Sequence, residues 1–312
     1  MEPNDRRIEI FAPFGEAFEL TKKILFQPFD IGKWFVIGFA AWLATFFSGG
    51  GYGYRRSFGK GDWNWHAQHH GAPLSLHDTP PWVIPVVIVG LLFAVAFVAL
   101  FLWLNARGRF MFTDCIVRNR GAIAEPWREY RTEANSYFVF QLVVALCSLV
   151  GFGGIAFVFF LAWYWANPVM PFALMIFLGV AWLLLVVLFS LVSRFMVPLM
   201  YRQRCGAVEA FRAVWSLVVA NPAVFILFAL FYIVLCIASA LIGCVAGCVT
   251  CCIAIIPYIG TVILLPVVMV LFAFPLCFLR QFGDAYDVWA VARPTQPPPP
   301  QIPPIKESLP PL

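Results

Sequence analysis

Residues 82–104 read WVIPVVIVGLLFAVAFVALFLWL, a stretch without one charged side chain or histidine. A helix rises about 1.5 Å per residue, so a stretch of this length crosses the roughly 30 Å of hydrocarbon in a bilayer. The strands of a membrane β-barrel alternate polar and apolar residues, and this stretch does not. The segment therefore predicts a membrane-spanning helix.

Five other stretches without acidic or histidine side chains have the same apolar character: residues 31–47, 137–166, 172–192, 222–249 and 258–279. Hydrophobic residues make up 62% of the chain and charged residues 12%, whereas soluble domains hold roughly 45–50% and 25%. The sequence thus predicts an all-α fold, a polytopic membrane bundle of six transmembrane helices over residues 31–283.

Basic residues predict the orientation of this bundle. They concentrate before the first span, in the second and fourth connections and after the last span, whereas the first connection holds only Arg55, Arg56 and Lys60. The positive-inside rule then places both termini in the cytoplasm. The basic residues never form one continuous stripe, so a nucleic-acid partner is not expected and the bilayer is the expected partner.

Residues 1–30 predict a cytoplasmic segment with an amphipathic helix. Four apolar side chains recur at helical spacing: Phe11, Phe14, Phe18 and Leu25. Three charged side chains fall on the other side: Glu16, Glu19 and Lys23. Pro28 should end this helix. Two interpretations stay open: a helix in the membrane interface, or a short helix packed on the bundle.

An internal repeat relates residues 109–193 to residues 194–279. Arg-Phe-Met at residues 109–111 recurs at 194–196, Gly-Ala at 121–122 recurs at 206–207, and Ala-Asn at 134–135 recurs at 220–221. The offset of about two spans predicts that both copies have the same orientation and that each includes a short cytoplasmic connecting helix.

The basic connections are candidate sites for anionic lipid head groups, at about 1 kcal/mol for each basic side chain near the surface. The candidates are Arg118, Arg120, Arg128, Arg202, Arg204 and Arg212. The alternative interpretation is that these residues only set the topology.

Metal and redox chemistry has two weak candidates. All four histidines fall in the outer connection: His66, His69, His70 and His77. They are close enough in sequence to bind zinc, but a solvated loop is the favoured interpretation, so we expect no metal or cofactor. Cys244, Cys248, Cys251 and Cys252 lie beside a small-residue stripe, Ser239, Gly243 and Gly247, which favours close helix packing. A disulfide at Cys251 or Cys252 remains an alternative.

The last segment, residues 284–312, predicts a proline-rich cytoplasmic tail. Residues 297–300 are four consecutive prolines, which favour extended polyproline II geometry. A spacer is the favoured interpretation, and a docking peptide is the alternative.

Several motifs resemble the opening and connections of an uncharacterised bacterial family of multi-pass membrane proteins. They are TKKILFQPFDIGKW at residues 21–34, RGRFMFTD at 107–114, CCIAIIPYIGTV at 251–262 and QFG at 281–283. That family is similar in turn to the membrane domain of membrane-anchored glycerophosphodiester phosphodiesterases. The resemblance implies an inner-membrane domain without the soluble catalytic barrel of those enzymes.

The five longer spans hold no Asp, Glu, Lys, Arg or His that could carry a charge at membrane depth, and the chain has no zinc-protease or phosphate-loop motif. We therefore expect no enzyme, but a membrane protein that organises lipids or membrane-protein partners. The alternative is a transporter or permease-like subunit for an apolar or lipid-like solute.

Overall fold

The computed structural model describes residues 9–45, 82–165, 169–250 and 257–291, and all regular structure within these ranges is helical. The α-helices are α1 (Phe11–Phe26), α2 (Ile31–Thr45), α3 (Val83–Val117), α4 (Ala124–Glu129), α5 (Arg131–Trp165), α6 (Val169–Gln203), α7 (Ala207–Ala220), α8 (Pro222–Val249), α9 (Pro257–Ile263) and α10 (Leu265–Arg280). Two 3-10 turns follow, Asp284–Tyr286 and Val288–Val291.

Long apolar helices mark this chain as a membrane protein. Within the described ranges, four helices are long and apolar enough to cross a bilayer: Val83–Val117, Arg131–Phe160, Leu174–Gln203 and Pro222–Val249. The prediction of an all-α fold is confirmed, and four of the expected spans are present as helices of sufficient length. The total of six stays a prediction, because α2 and α10 are shorter apolar helices.

The sixth predicted span, over residues 258–279, is divided rather than continuous. Helix α9 ends at Ile263 and α10 begins at Leu265, with Leu264 in a turn between them. Pro266 accounts for the division, because proline has no N–H to continue the hydrogen-bond ladder of α9, whereas it is tolerated in the first turn of a new helix.

The buried core lies at one end of the long helices, the end next to the connections that carry α4 and α7. In the last third of α3, Met111 and Phe112 are fully buried, whereas Leu92 and Phe93 in the first half are 64% and 71% exposed. The same division holds in α6, where buried side chains begin at Val192. We call this buried region the core end and the exposed apolar halves of the helices the shafts.

Helix α2 runs antiparallel to the buried part of α3. Asn105 Nδ2 donates to the carbonyl oxygens of Leu43 and Ala44, at 2.9 Å each. At the opposite end of α2, Lys33 Nζ donates to Asn119 Oδ1 at 2.8 Å. These contacts place α2 beside the core end of α3.

Helix α1 packs along α10, as one of the two interpretations of the sequence proposed. Ala17, Thr21 and Ile24 are buried, and Arg280 Nη2 donates to both carboxylate oxygens of Glu16 at 2.9 Å. Phe18, on the predicted apolar side, is nevertheless 57% exposed. The position of α1 relative to a membrane interface stays a prediction.

Candidate functional site

A buried carboxylate occupies the middle of the core end. Asp114 lies one turn before the end of α3 and is fully buried. The hydroxyl of Tyr201 donates to its Oδ1 at 3.0 Å, Arg118 Nε lies 3.2 Å from the same oxygen, and Arg120 Nε donates to Oδ2 at 3.2 Å. Such partners offset the cost of burying a carboxylate.

The two arginines extend this centre to α4. Arg118 Nη2 donates to Glu129 Oε1 at 2.8 Å, and Arg120 Nη1 donates to Glu125 Oε2 at 2.5 Å. Arg204, after α6, reaches the same region and pairs with Glu129 and with Glu133. We call the whole set the ionic cluster: Asp114, Arg118, Arg120, Glu125, Glu129, Glu133, Tyr201 and Arg204.

Aromatic rings form a layer beneath the charges. The rings of Tyr130 and Tyr201 stack with centroids 4.6 Å apart, and the guanidinium of Arg204 lies 3.9 Å from the centroid of Tyr130. A cation over a ring face is attracted by its quadrupole. This contact fixes the end of α6 to the beginning of α5, so the cluster joins α3, α4, α5 and α6.

Electrostatic interactions within the cluster favour the charged states of Glu129 and Arg118. Burial alone would raise the pKa of Glu129, but the hydrogen bond and charge of Arg118, together with Arg204, lower it below its ordinary value. Burial alone would likewise lower the pKa of Arg118, but Glu129 and Asp114 raise it. Glu129 and Arg118 of the cluster therefore stabilise each other's charge.

The lowered pKa of Glu129 predicts acid sensitivity. The ionised Glu129 contributes its full stabilisation of the fold above the ordinary glutamate pKa of about 4.3. This contribution is lost as the pH falls through the lower pKa that Glu129 has in the folded protein. We expect Glu129→Gln to unfold at a lower temperature than the unmodified protein at pH 7, with the difference shrinking below pH 4. Thermal unfolding in detergent at several pH values measures this.

The control for this experiment is Glu19→Gln, because Glu19 is exposed on α1 and outside the cluster. It should change the unfolding temperature little at any pH. An unchanged difference between Glu129→Gln and the unmodified protein from pH 7 to pH 3 contradicts the proposed ion pairing.

The six arginines predicted to contact lipid divide into two groups. Arg118, Arg120 and Arg204 belong to the ionic cluster. Arg128 on α4 and Arg212 on α7 are exposed, and Arg202 is half-buried. Head-group binding by any of them stays a prediction, but Arg128 and Arg212 are exposed and lie outside the ionic cluster.

The other predicted site residues are placed as follows. His66, His69, His70 and His77 lie outside the described residues, as do Cys251, Cys252 and the tail from residue 292. In the small-residue stripe of α8, Ser239 is buried and donates to the carbonyl oxygen of Cys236, while Gly243 is half-buried. A Cβ added at Gly247 would meet no described atom within 4 Å. The packing role of this stripe stays a prediction.

The two segments of the predicted repeat share local geometry. Asn119 and Arg204, 85 residues apart, both follow a 35-residue helix and both have a positive φ, 50° and 53°. Upstream of each, an arginine contacts a tyrosine hydroxyl on the next long helix: Arg109 with Tyr137, and Arg194 with Tyr232. The duplication itself stays a prediction from the sequence.

Sequence reasoning did not identify the centre of the cluster. Asp114 was noted only as the last residue of the motif at residues 107–114, and the sequence offered no separate reason to select Tyr201 or Glu129. The available signal was a single carboxylate two positions after the apolar residues 110–112, since an acid in such surroundings needs a partner. Arg118 and Arg120 follow Asp114 closely in the sequence, but Tyr201 comes from α6, 87 residues away, and sequence spacing alone does not bring it close.

Comparison with known proteins gives one finding. A family model described as a family of unknown function (DUF7544) matches residues 9–292 of this chain. No curated protein and no solved structure matches it. The similarity to glycerophosphodiester phosphodiesterases therefore receives no support from these comparisons.

Proposed function

The chain belongs to the DUF7544 family of unknown function, and we propose that this membrane protein is a non-catalytic organiser of anionic lipid. In this proposal it lies in the inner membrane with its core end and both termini towards the cytoplasm. The shafts hold it in the bilayer, and the exposed arginines next to the core end collect negatively charged head groups.

The observation that carries the proposal is the division of the molecule into shafts and core end. Large apolar side chains cover the shafts, as at Leu92 and Val150, which is 75% exposed. Such surface is stable only against hydrocarbon. The exposed Arg128 and Arg212 belong to helices beside the core end, at the depth where head groups begin.

A structural rather than a chemical task for the ionic cluster supports the non-catalytic part of the proposal. Asp114 is completely enclosed, with three donors around its carboxylate. A general acid or base has to reach a proton on its substrate at hydrogen-bond distance. An enclosed carboxylate held by two arginines suits the fixing of helices instead.

The double variant Arg128→Gln/Arg212→Gln tests the proposal. Native mass spectrometry of protein taken from mixed phosphatidylglycerol and phosphatidylcholine membranes should show preferential retention of phosphatidylglycerol. Because each basic side chain near the surface contributes about 1 kcal/mol, the double variant should lower that preference by up to about thirtyfold.

The matched control is Arg55→Gln/Arg56→Gln, which removes the same number of charges from the first connection. It should keep the preference for phosphatidylglycerol. Equal retention of both lipids by the unmodified protein contradicts the proposal, and an unchanged preference in the Arg128 and Arg212 variant means that these arginines serve only to set the topology.

A permease for an apolar or lipid-like solute is the second candidate. The shared geometry of the two repeat segments favours it, because duplicated helix pairs commonly surround a transport site. Reconstituted vesicles that speed the movement of a fluorescent lipid between leaflets support the permease. Vesicles that move neither lipid nor small apolar solutes support the organiser.

A further inference from the structure

An apolar groove opens between α1, α8 and α10. Its volume is about 440 Å³, within the range of roughly 300–1,000 Å³ typical of small-molecule sites. Phe18 of α1, Ile242 of α8 and Val270 of α10 each form part of its wall. From Leu235 to Ile242 the α8 wall extends along the helix for about 10 Å at 1.5 Å per residue.

The hydroxyl groups in the wall donate within their own helices and leave the surface apolar. Thr21 Oγ1 donates to the carbonyl oxygen of Ala17 at 2.8 Å, and Ser239 Oγ donates to that of Cys236 at 2.8 Å. A ligand in the groove therefore gains mainly from the burial of apolar surface.

The groove is continuous with the lipid-facing surface. Its α8 wall belongs to Pro222–Val249, one of the four helices able to cross a bilayer. Leu241 and Val245, next to that wall on the same helix, are 63% exposed. Hydrocarbon that surrounds α8 therefore has direct access to the groove.

Among the described residues that line the groove, Lys22 of α1 is the one with a cationic side chain. Lys22 is exposed, lines the groove and forms no ion pair with the carboxylates of the described ranges. The rings of Phe18 and Phe26, which also line the groove, lie on the same helix and are 57% and 50% exposed. An apolar groove with one exposed lysine among its lining residues matches one chain and the phosphate of an anionic phospholipid.

We propose that this groove binds one acyl chain of an anionic phospholipid, with the head-group phosphate next to Lys22. This inference deepens the proposed function and rests on it, since it assigns a specific chain-binding site to a protein proposed to organise anionic lipid. Helices α1 and α10 hold the acyl chain against α8, whereas bulk lipid only surrounds the shafts.

Photolabelling tests the site. The full-length protein is reconstituted with phosphatidylglycerol that carries a diazirine near the end of one acyl chain, irradiated, digested and analysed by mass spectrometry. We expect adducts to concentrate on peptides that contain the groove residues of α1, α8 and α10. Adducts spread evenly over the shafts, without concentration at the groove, overturn the proposal.

Two matched variants of α8 sharpen this test. Ala238 lines the groove, and Ala240 is exposed on the same helix outside it. Ala238→Phe should lower groove labelling by about tenfold. The new ring displaces methylene groups of the acyl chain from the groove, and each displaced group weakens lipid binding severalfold. Ala240→Phe should leave groove labelling unchanged. Equal labelling of the two variants overturns the proposal.

A second pair of variants tests whether the head-group phosphate lies next to Lys22. Lys22→Gln should lower groove labelling by phosphatidylglycerol but not by a phosphatidylcholine probe with the same chain, whereas Lys23→Gln should alter neither. Equal groove labelling by phosphatidylglycerol in the Lys22 variant and in the unmodified protein overturns the assignment of the phosphate to Lys22.

The outcomes separate this inference from the proposed function. Missing groove adducts with intact retention of phosphatidylglycerol overturn the groove site alone, whereas loss of that retention overturns the proposed function as well. Missing adducts together with a dimer that Ala238→Phe dissociates mean that a second copy of the chain covers the groove, and this result also overturns the lipid site.

Discussion

Replacement of Asp114 by asparagine should lower the free energy of unfolding by about 3 kcal/mol, the lower end of the 3–5 kcal/mol that the removal of one partner from a buried ion pair costs. The substitution keeps the shape of the side chain but leaves Arg118 and Arg120 without the charge between them. Both arginines are partly exposed, with 24% and 30% of their side chains accessible, so water compensates part of the loss. Unfolding in mixed micelles, followed by far-UV circular dichroism, measures the change.

The control is Asp284→Asn, which removes the same charge from an exposed position in the first 3-10 turn. We expect it to change stability by less than about 0.5 kcal/mol. If Asp114→Asn and Asp284→Asn are equally stable, Asp114 does not hold the core end together.

Replacement of Gly108 by alanine is the second substitution with a large expected effect. A Cβ at this position would lie 2.5 Å from Leu43 Cβ and 2.7 Å from the backbone nitrogen of Ala44. Backbone atoms do not move aside as a flexible side chain does, so α2 and α3 must separate. Overpacking of this kind costs typically about 1–3 kcal/mol, and Gly108→Val should cost more. The same unfolding experiment applies.

Gly90 provides an internal comparison in the same helix. A Cβ at Gly90 meets nothing within 4 Å, so Gly90→Ala should stabilise the protein by up to about 1 kcal/mol through its higher helix propensity. The two alanine variants of α3 are thus expected to change stability in opposite directions. If neither variant is less stable than the unmodified protein, the result contradicts close packing of α2 on α3.

The sequence predicted the long helices well because their signal is local. Residues 82–104 and 222–249 are apolar over enough consecutive positions to cross hydrocarbon, whatever their neighbours are, and the structure has helices Val83–Val117 and Pro222–Val249 there. The same signal was less informative at residues 258–279. The apolar run is continuous there, but the helix is interrupted at Leu264, just before Pro266, because proline changes hydrogen bonding without making the run polar.

The candidate sites were harder to predict because charge counts do not show pairing. The sequence treated Arg118, Arg120 and Arg204 as equivalent to Arg128 and Arg212. Only the approach of α3, α4, α5 and α6 distinguishes them, since it brings Glu129 to both Arg118 and Arg204. The groove was missed for a similar reason, as its walls come from helices separated by more than 200 residues.

The sequence by itself determined that this protein lies in the hydrocarbon of a membrane and that it is helical. Apolar composition and the length of the apolar runs decide both without any tertiary contact. The tertiary structure decided where the charges are neutralised, which arginines stay accessible and where a groove opens. Those features depend on residues distant in the chain, such as Asp114 with Tyr201 and Phe18 with Val270, and only packing brings them together.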